Sequence, residues 1–406
     1  MSKRLLPYYL LVALVMMSMG GIFTLLGELK KELGFAEWQL GLMVGIGFFA
    51  AFISQISLAR FSDRGYSAQM IRLGLVFLAS ALAIMSIADD YKWFILARVV
   101  LGIGAGCLLP AARRVVVLSD PSKVGENLGT LGSFDVGGFL VGPLIAGVLA
   151  SFVNFRVPFI VFATLTALLI PAAVRLPADT GKVAERQPVI RPLLALPGIR
   201  AMLTVAIGWY AMIGLFEAIW AVMLTDRGAE PWMIAVTMSM VMLPMLFLAP
   251  IGGRLAQRRG PHKVATFGVL LIIPAVISYG WVEHLGIITA IAMCQGIGDA
   301  IIFPSTQVGT AMAADDELAA SAQGLGGATL ELTAGMAAIL AGFAYAPLGP
   351  RFIWTAAGVV LASGAALSYY VSRSLREEGH ELVTGRPVSP EPQDLLPSIS
   401  ESLPSD

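Results

Sequence analysis

The chain has 406 residues, of which only 13% are Asp, Glu, Lys or Arg, against about 25% in soluble globular proteins. Since 57% of the residues are hydrophobic, the composition excludes a soluble multidomain protein with a charged surface. The 27 basic and 27 acidic residues cancel, which argues against a nucleic-acid partner, and two cysteines and three histidines argue against a disulfide framework and a metal site.

Twelve apolar runs are long enough to cross a bilayer, which takes about 20 residues. In chain order they are 5–27, 37–59, 70–88, 93–114, 127–150, 157–175, 200–224, 232–252, 264–283, 286–311, 321–344 and 352–372. The sequence therefore predicts an all-α polytopic membrane protein with twelve transmembrane helices. We expect two six-helix halves, 1–175 and 200–372, a central cytoplasmic loop over 176–199, and a disordered cytoplasmic tail over 373–406, which is rich in Pro, Ser and acidic residues.

Lysine and arginine in the loops predict the orientation, because cytoplasmic loops carry an excess of both residues. If the N-terminus is cytoplasmic, twenty Lys and Arg residues lie in segments on that side and six lie in the outside loops. We therefore expect both termini to be cytoplasmic. We also expect a monomer in the inner membrane of a bacterium.

The two halves are copies of each other. At an offset of 194 residues seven positions coincide, and at 195 the same register continues through four more. The pairs include Trp38/Trp232, Gly74/Gly268, Gly102/Gly296 and Gly104/Gly298 and, at the second offset, Gly129/Gly324 and Gly132/Gly327. In proteins built from two like-oriented six-helix repeats, one half moves against the other around a site at the midplane. The repeat therefore favours a transporter over a receptor or a membrane enzyme.

The loops after the second and eighth spans carry a charged motif. The first reads Ala-Arg-Phe-Ser-Asp-Arg-Gly from residue 59 to 65, and the second reads Gly-Arg-Leu-Ala-Gln-Arg-Arg-Gly from 253 to 260. Both resemble the Gly-x-Leu-Ala-Asp-Arg-x-Gly signature of the major facilitator superfamily, although Gln257 replaces the acid in the second copy. A carboxylate beside basic residues at a helix end can latch one conformation. Asp63, Arg64 and Arg258 are therefore predicted to be gating residues.

The fifth span reads Gly-Phe-Leu-Val-Gly-Pro-Leu-Ile-Ala-Gly from 138 to 147, which resembles the Gly-x-x-x-Gly-Pro-x-x-Gly-Gly motif of the drug:proton antiporters of that superfamily. Gly138, Gly142 and Ala146 fall at every fourth position and form a smooth stripe on which another helix can pack closely. Pro143 removes a backbone donor and is predicted to bend the helix. Together with Gly147, these residues are predicted to let the helix shift between two packings.

A charged side chain at bilayer depth is costly and marks a functional site, and five ionisable residues away from the ends of the predicted spans are candidates: Arg98, Asp135, Glu217, Asp299 and Glu331. Removing a carboxyl group from water raises its pKa, so such a group can exchange a proton near neutral pH. We predict that all five take part in proton coupling, with Glu217 foremost. For Arg98 the resemblance implies this role, because Arg98 begins an arginine–glycine motif similar to that of the family's fourth helix. Arg98 is expected to pair with a carboxylate.

Four further residues are predicted to line the substrate cavity: Tyr210, Trp220, Gln295 and Arg113. Tyr210 and Trp220 share the helical face of Glu217 and would suit an apolar, aromatic or cationic ligand. Gln295 lies one turn before Asp299. Arg113 either marks the cytoplasmic end of the fourth span or binds anions at the mouth of the cavity.

These features predict a secondary active transporter that exports small hydrophobic or amphipathic molecules in exchange for protons, with the proton gradient as energy source and no cofactor. Its partners would be the small-molecule substrate, protons and membrane lipids. The alternatives are a proton symporter or facilitator for a sugar or an organic anion, and a transporter of lipid-like substrates. The sequence contains no catalytic triad, metal cluster or phosphate-binding loop, so we do not expect an enzyme.

Overall fold

The computed structural model of the protein describes residues 5–119, 124–174, 190–314 and 318–385. The described part of the first half consists of helices α1 (Leu6–Thr24), α2 (Leu26–Leu33), α3 (Glu37–Phe61), α4 (Ser67–Ile87), α5 (Tyr91–Ser119), α6 (Val124–Phe152) and α7 (Val157–Val174). The second half consists of α8 (Ile190–Ala195), α9 (Pro197–Asp226), α10 (Pro231–Arg259), α11 (Pro261–Ser278), α12 (Leu285–Met312), α13 (Ala319–Val371), α14 (Arg373–Glu377) and α15 (Glu381–Thr384).

Eleven of the described helices are long and apolar enough to span a membrane. The last of them, α13, has 53 residues and leaves the helical conformation at Gly349, whose φ of 73° lies in the left-handed region that favours glycine. The two parts of α13 correspond to the eleventh and twelfth predicted spans, which the chain joins through this bend. The prediction of an all-α protein with twelve transmembrane helices is confirmed.

The sequence repeat is visible as repeated helix contacts. Gly102 of α5 packs on the backbone carbonyl of Gly47 in α3, and 194 residues later Gly296 of α12 packs on the carbonyl of Val241 in α10. Likewise, a Cβ on Gly74 of α4 would lie 2.7 Å from the carbonyl oxygen of Gly104 in α5, a contact that Gly268 and Gly298 repeat at 3.5 Å. Glycine recurs at these positions because the helix backbones touch there.

The two halves touch at one end of the bundle, which we call the closed end. There, a Cβ on Gly41 of α3 would lie 2.6 Å from the Cα of Gly342 in α13, and one on Gly147 of α6 would lie 2.6 Å from the carbonyl oxygen of Pro231 in α10. At the opposite end, the open end, the repeat glycines face free space. A Cβ on Gly129, Gly132, Gly324 or Gly327 would meet no described atom within 4 Å.

The tail differs from its prediction between residues 373 and 385. Instead of being disordered, it forms α14 and α15, and both Leu375 and Leu382 are buried against Ala201 of α9. The prediction relied on the average composition of the whole tail, which is polar, whereas these two leucines provide enough apolar surface for residues 373–385 to pack. Residues 386–406 lie outside the described part of the chain, as do 175–189 of the predicted central loop, whose last residues form α8 and the start of α9.

Candidate functional site

Three of the five predicted proton-coupling residues interact electrostatically across the boundary between the two halves. Arg98 comes from α5 of the first half, and Glu217 and Glu331 come from α9 and α13 of the second. Arg98 interacts electrostatically with both carboxyl groups, and the two carboxyl groups interact with each other. We call these three residues the central charge cluster.

Glu217 has a buried oxygen without a partner. Its Oε2 atom is shielded from solvent and makes no hydrogen bond to any described residue. The residue lies nine positions before Asp226 at the closed end of α9, or about 14 Å along the helix axis. Leaving a buried acceptor unpaired costs roughly 1–3 kcal/mol, and more for a charged group, so the arrangement favours a Glu217 that binds a proton or a ligand there.

Glu331 is held by a residue that the sequence analysis did not single out. Its Oε1 atom accepts a hydrogen bond from Nε2 of Gln55 at 3.2 Å, and Gln55 belongs to α3 of the other half. This contact therefore joins the halves on the open side of the Gly41–Gly342 contact. The sequence does contain a signal for this contact, because Gln55 is an amide within an otherwise apolar span and polar groups inside a membrane form hydrogen bonds with neighbouring helices.

Arg98 does not form the predicted ion pair. Among the described residues, its guanidinium instead donates to the backbone carbonyls of Met43 and Val44 in α3, at 3.1 and 3.4 Å, and lies over the ring of Phe23 at 5.4 Å. Gly47 leaves the room for it, because a Cβ there would lie 2.6 Å from Nη2 of Arg98. The planar fork of donors suits this bracing of α5 against α3, which spacing in the sequence could not predict.

Asp135 lies beside the central charge cluster and has a partner in its own half. Its Oδ2 atom is 3.6 Å from Nη2 of Arg113, which joins α6 to α5. Arg113 also interacts electrostatically with Glu331. Its side chain is 55% exposed, so this arginine is both an ion-pair partner and accessible, as the mouth of a cavity requires.

Asp299 stands apart from the central charge cluster, inside the second half. Its two carboxyl oxygens accept hydrogen bonds from Nε1 of Trp209 at 2.8 Å and from Nε2 of Gln295 at 3.0 Å. The Oε1 atom of Gln295 in turn accepts from the hydroxyl of Tyr279 at 2.7 Å. Gln295 is only 2% exposed. The prediction that it lines the cavity is wrong for this conformation, because its amide is used within the packed half.

Tyr210 and Trp220 are also packed rather than open to a cavity, contrary to prediction. Trp220 is fully buried, stacks on Phe216 with ring centroids 4.5 Å apart, and donates from Nε1 to Oγ1 of Thr237 at 2.8 Å. Tyr210 is buried against Trp209. Their spacing relative to Glu217 is that of one helical face, but the neighbouring helices of the second half cover the rings.

The small-residue stripe of the fifth span packs as predicted. Gly138 and Gly142 lie against the backbone of Ala13 and Met17 in α1, and Gly147 faces α10 of the other half. Pro143 fits beside Gly20 of α1, where a Cβ would lie 2.9 Å from its Cδ atom. Helix α6 runs through Pro143 from Val124 to Phe152 without a non-helical residue, so the predicted shift between two packings stays a prediction.

The predicted gating motif lies at the open end. Gly65 there has a φ of 89°, which lets the chain turn from α3 into α4, and the side chain of Arg64 is exposed. Arg258 is exposed at the end of α10, with its carbonyl against Gly385 of the tail. The side chain of Asp63 lies outside the described part of the structure.

The family follows from a comparison of the whole chain with known proteins. The model of the Major Facilitator Superfamily matches residues 8–285 and 201–400. The chain belongs to this superfamily. It is therefore a multi-pass membrane protein of a family of transporters, which are not enzymes.

Two drug-resistance proteins are among its relatives. Over 165 residues the chain is 27% identical to the quinolone resistance protein NorA of Staphylococcus aureus, a match that covers 39% of this chain and 41% of NorA. Over 293 residues it is 24% identical to the multidrug resistance protein MdtG of Proteus mirabilis, which covers 68% of this chain and 73% of MdtG. The matched region thus spans about two fifths of NorA and nearly three quarters of MdtG.

Solved structures show the same fold at low sequence identity. A bacterial homolog of the human lysosomal transporter Spinster, in an inward-facing and occupied conformation, aligns with a TM-score of 0.78 and 18% identity, covering 96% of this chain and all of that chain. The nucleoside transporter NupG aligns with a TM-score of 0.72 and 15% identity, covering 92% of this chain and all of NupG.

Proposed function

We propose that the protein is a proton-coupled exporter of small hydrophobic or amphipathic molecules that works by alternating access. The observation that carries this proposal is the buried, unpartnered carboxyl oxygen of Glu217, placed where the two halves adjoin. A group in that position exchanges its proton when the surrounding halves rearrange. The fixed positive charge of Arg98, which is held by backbone carbonyls, favours the ionised form of whichever carboxyl group lies nearest.

In the proposed cycle, the described conformation receives substrate through the open end. Movement of the two halves then closes that end and separates Gly41 from Gly342. The contact between Gln55 and Glu331 is broken or remade in the same movement, because its two members belong to different halves. A proton taken up by Glu217 from the outer side favours the return to the described conformation, in which the carboxyl group is buried.

The relatives and the loop charges support the direction of transport. The names of NorA and MdtG associate those proteins with resistance to quinolones and to multiple drugs. The excess of Lys and Arg at the open end favours a cytoplasmic location for that end and for both termini. We propose the inner membrane of a bacterium as the location, and a monomer that needs protons, substrate and lipid but no cofactor.

The test is proton movement in everted membrane vesicles that contain the protein. After respiration has acidified the interior, candidate dyes, antibiotics and metabolites are added one at a time, and collapse of the pH gradient is followed with a fluorescent weak base. We expect one or more amphipathic compounds to discharge the gradient in the wild type and to fail with Glu217→Gln. Glu32→Gln, which neutralises an exposed carboxylate at the closed end, is the matched control and should retain wild-type discharge.

The outcome separates the proposal from its alternatives. If discharge by the same compound persists in Glu217→Gln, this residue is not the proton-coupling group. If no compound moves protons while labelled sugars or organic anions equilibrate across the membrane, the protein is a facilitator. Proton uptake that accompanies solute uptake would instead identify a symporter.

A further inference from the structure

A second group of charges joins the halves at the closed end. Lys30, on the short helix α2 of the first half, lies between two carboxylates. Its Nζ atom is 2.9 Å from Oε1 of Glu37, in the same half, and 2.5 Å from Oδ1 of Asp226, at the end of α9 in the other half. The other oxygen of Asp226, Oδ2, accepts from the hydroxyl of Tyr345 in α13 at 3.1 Å. None of these four residues belongs to the central charge cluster.

The local fold delivers Lys30 to that position. The first membrane helix stops at Thr24, and α2 then packs across the end of α9, where Gly27 lies against the side chain of Thr225 and a Cβ on it would lie 3.0 Å from the carbonyl oxygen of Ala221. Gly34 ends α2 with a φ of 69°. Helix α2 is therefore a part of the first half that rests on the second.

We propose that Lys30 and Asp226 form a latch that holds the closed end shut, and that Glu37 and Tyr345 are the partners to which the two latch residues fall back when it opens. Each half contains one member of the latch and one fallback partner. Separation of the halves breaks the Lys30–Asp226 contact but leaves Lys30 with Glu37 and Asp226 with Tyr345. Opening thus breaks one contact and leaves each of the two charged residues with a partner in its own half, which makes the latch reversible.

The electrostatics of Lys30 agree with this assignment. Burial lowers the pKa of Lys30, but the hydrogen bonds to Asp226 and Glu37 and the negative charges of these two residues together outweigh burial, so that the pKa lies above its ordinary value. The side chains of Lys30 and Asp226 are 25% and 35% exposed, so water screens the pair partly and its strength is modest. A contact of modest strength suits a latch that has to open in every transport cycle.

The test measures the distance between the halves at the closed end. Glu32→Cys and Glu230→Cys, both at exposed positions of different halves, carry spin labels in a background with Cys107→Ala and Cys294→Ser. Double electron–electron resonance then gives the populations of the short and long distances. Lys30→Met and Asp226→Asn are each expected to raise the long-distance population about two- to fivefold, the range of partly exposed pairs. The double variant should exceed neither single variant by much, because both remove the same contact.

Two further variants decide between a latch and a merely stabilising surface pair. Lys31→Met, on the exposed neighbour of Lys30, is the matched control and should leave the populations unchanged. Tyr345→Phe should shift them in the opposite direction, towards the short distance. Asp226 still has Lys30 as a partner in the closed state, but in the open state it has lost the hydrogen bond from Tyr345. The proposal is overturned if Lys30→Met behaves like Lys31→Met, or if Tyr345→Phe raises the long-distance population.

Lys30→Arg guards against misfolding as the cause of any change. It retains the charge and the donors, so it should restore most of the short-distance population that Lys30→Met loses. If Lys30→Met cannot be purified as a folded protein, the opposite shifts expected of Asp226→Asn and Tyr345→Phe still test the latch. Equal shifts in the same direction would overturn it.

Discussion

Replacing Gly41 by alanine is expected to open the closed end without unfolding either half. Gly41 in α3 faces Gly342 in α13, and the two helices belong to different halves. The added methyl group would lie 2.6 Å from both the Cα of Gly342 and the carbonyl oxygen of Ala338, about 0.8 Å closer than the 3.4 Å at which ordinary contacts begin. Because these are backbone atoms, no side-chain rotation can relieve the overlap.

The size of the effect follows from the cost of overpacking, which is typically about 1–3 kcal/mol. Only the conformation in which α3 and α13 touch at Gly41 bears this cost. At about 1.4 kcal/mol per tenfold change, the equilibrium between the two conformations should shift about 5- to 150-fold towards separation at this end. Transport should slow down, because a cycle that rarely closes at this end rarely reaches the described conformation.

The label pair at positions 32 and 230 measures this shift directly. Gly132→Ala on α6 is the matched control, because the same methyl group there meets no described atom within 4 Å and should leave the distances unchanged. Gly142→Ala overlaps with the backbone of Met17 inside the first half, so it should lower the melting temperature. An unaltered distance distribution in Gly41→Ala would refute the assignment of this contact to the closed end.

Three further predictions concern stability and pH. Asp299→Leu leaves the indole N–H of Trp209 and the amide of Gln295 without their acceptor, so it should destabilise the second half by at least about 1–3 kcal/mol, seen as a lower melting temperature in detergent, whereas Asp299→Asn should cost less. Leu382→Ala removes a fully buried side chain and should release α15, with a loss of about 2–5 kcal/mol of local stability, seen as faster amide hydrogen exchange over 381–385. The raised pKa of Lys30 means that its contacts are fully present below the ordinary lysine pKa of about 10.4 and are lost as the pH rises through the raised value. In the Glu217→Gln variant, which cannot exchange the proton proposed for Glu217, the short distance at the closed end should therefore persist from pH 7 to about pH 10 and decline only above that; a decline near neutral pH in this variant would contradict the prediction.

The twelve spans, the repeat and the close packing of the fifth span could all be predicted from the sequence. Each depends on a local property: the length of an apolar run, the recurrence of glycine in one register, or the absence of a side chain at Gly138 and Gly142. These properties do not depend on where the helix lies in the folded protein. The family could be predicted for the same reason, since its motifs are short and contiguous.

The partners of the buried charges were decided by the tertiary structure alone. Spacing within a helix indicates which residues share a face, but the rotation of that helix against its neighbours depends on packing that no single span contains. Trp220 shares a face with Glu217 and is nevertheless enclosed by the rings of Tyr279 and Trp354, which lie in other parts of the chain. Arg98 donates hydrogen bonds to backbone carbonyls and not to a carboxylate, because Gly47 on another helix leaves room for its guanidinium.

The same limit explains why Gln55 and Lys30 were missed. A glutamine within a span and a lysine at a helix end are ordinary in isolation, and each acquires its significance from a carboxylate more than 190 positions away in the chain. The sequence determined that this protein crosses the membrane in two repeated halves and where its intramembrane charges lie. Only the packing of one half on the other decided which charges meet, because that depends on the approach of two helix surfaces and not on either surface alone.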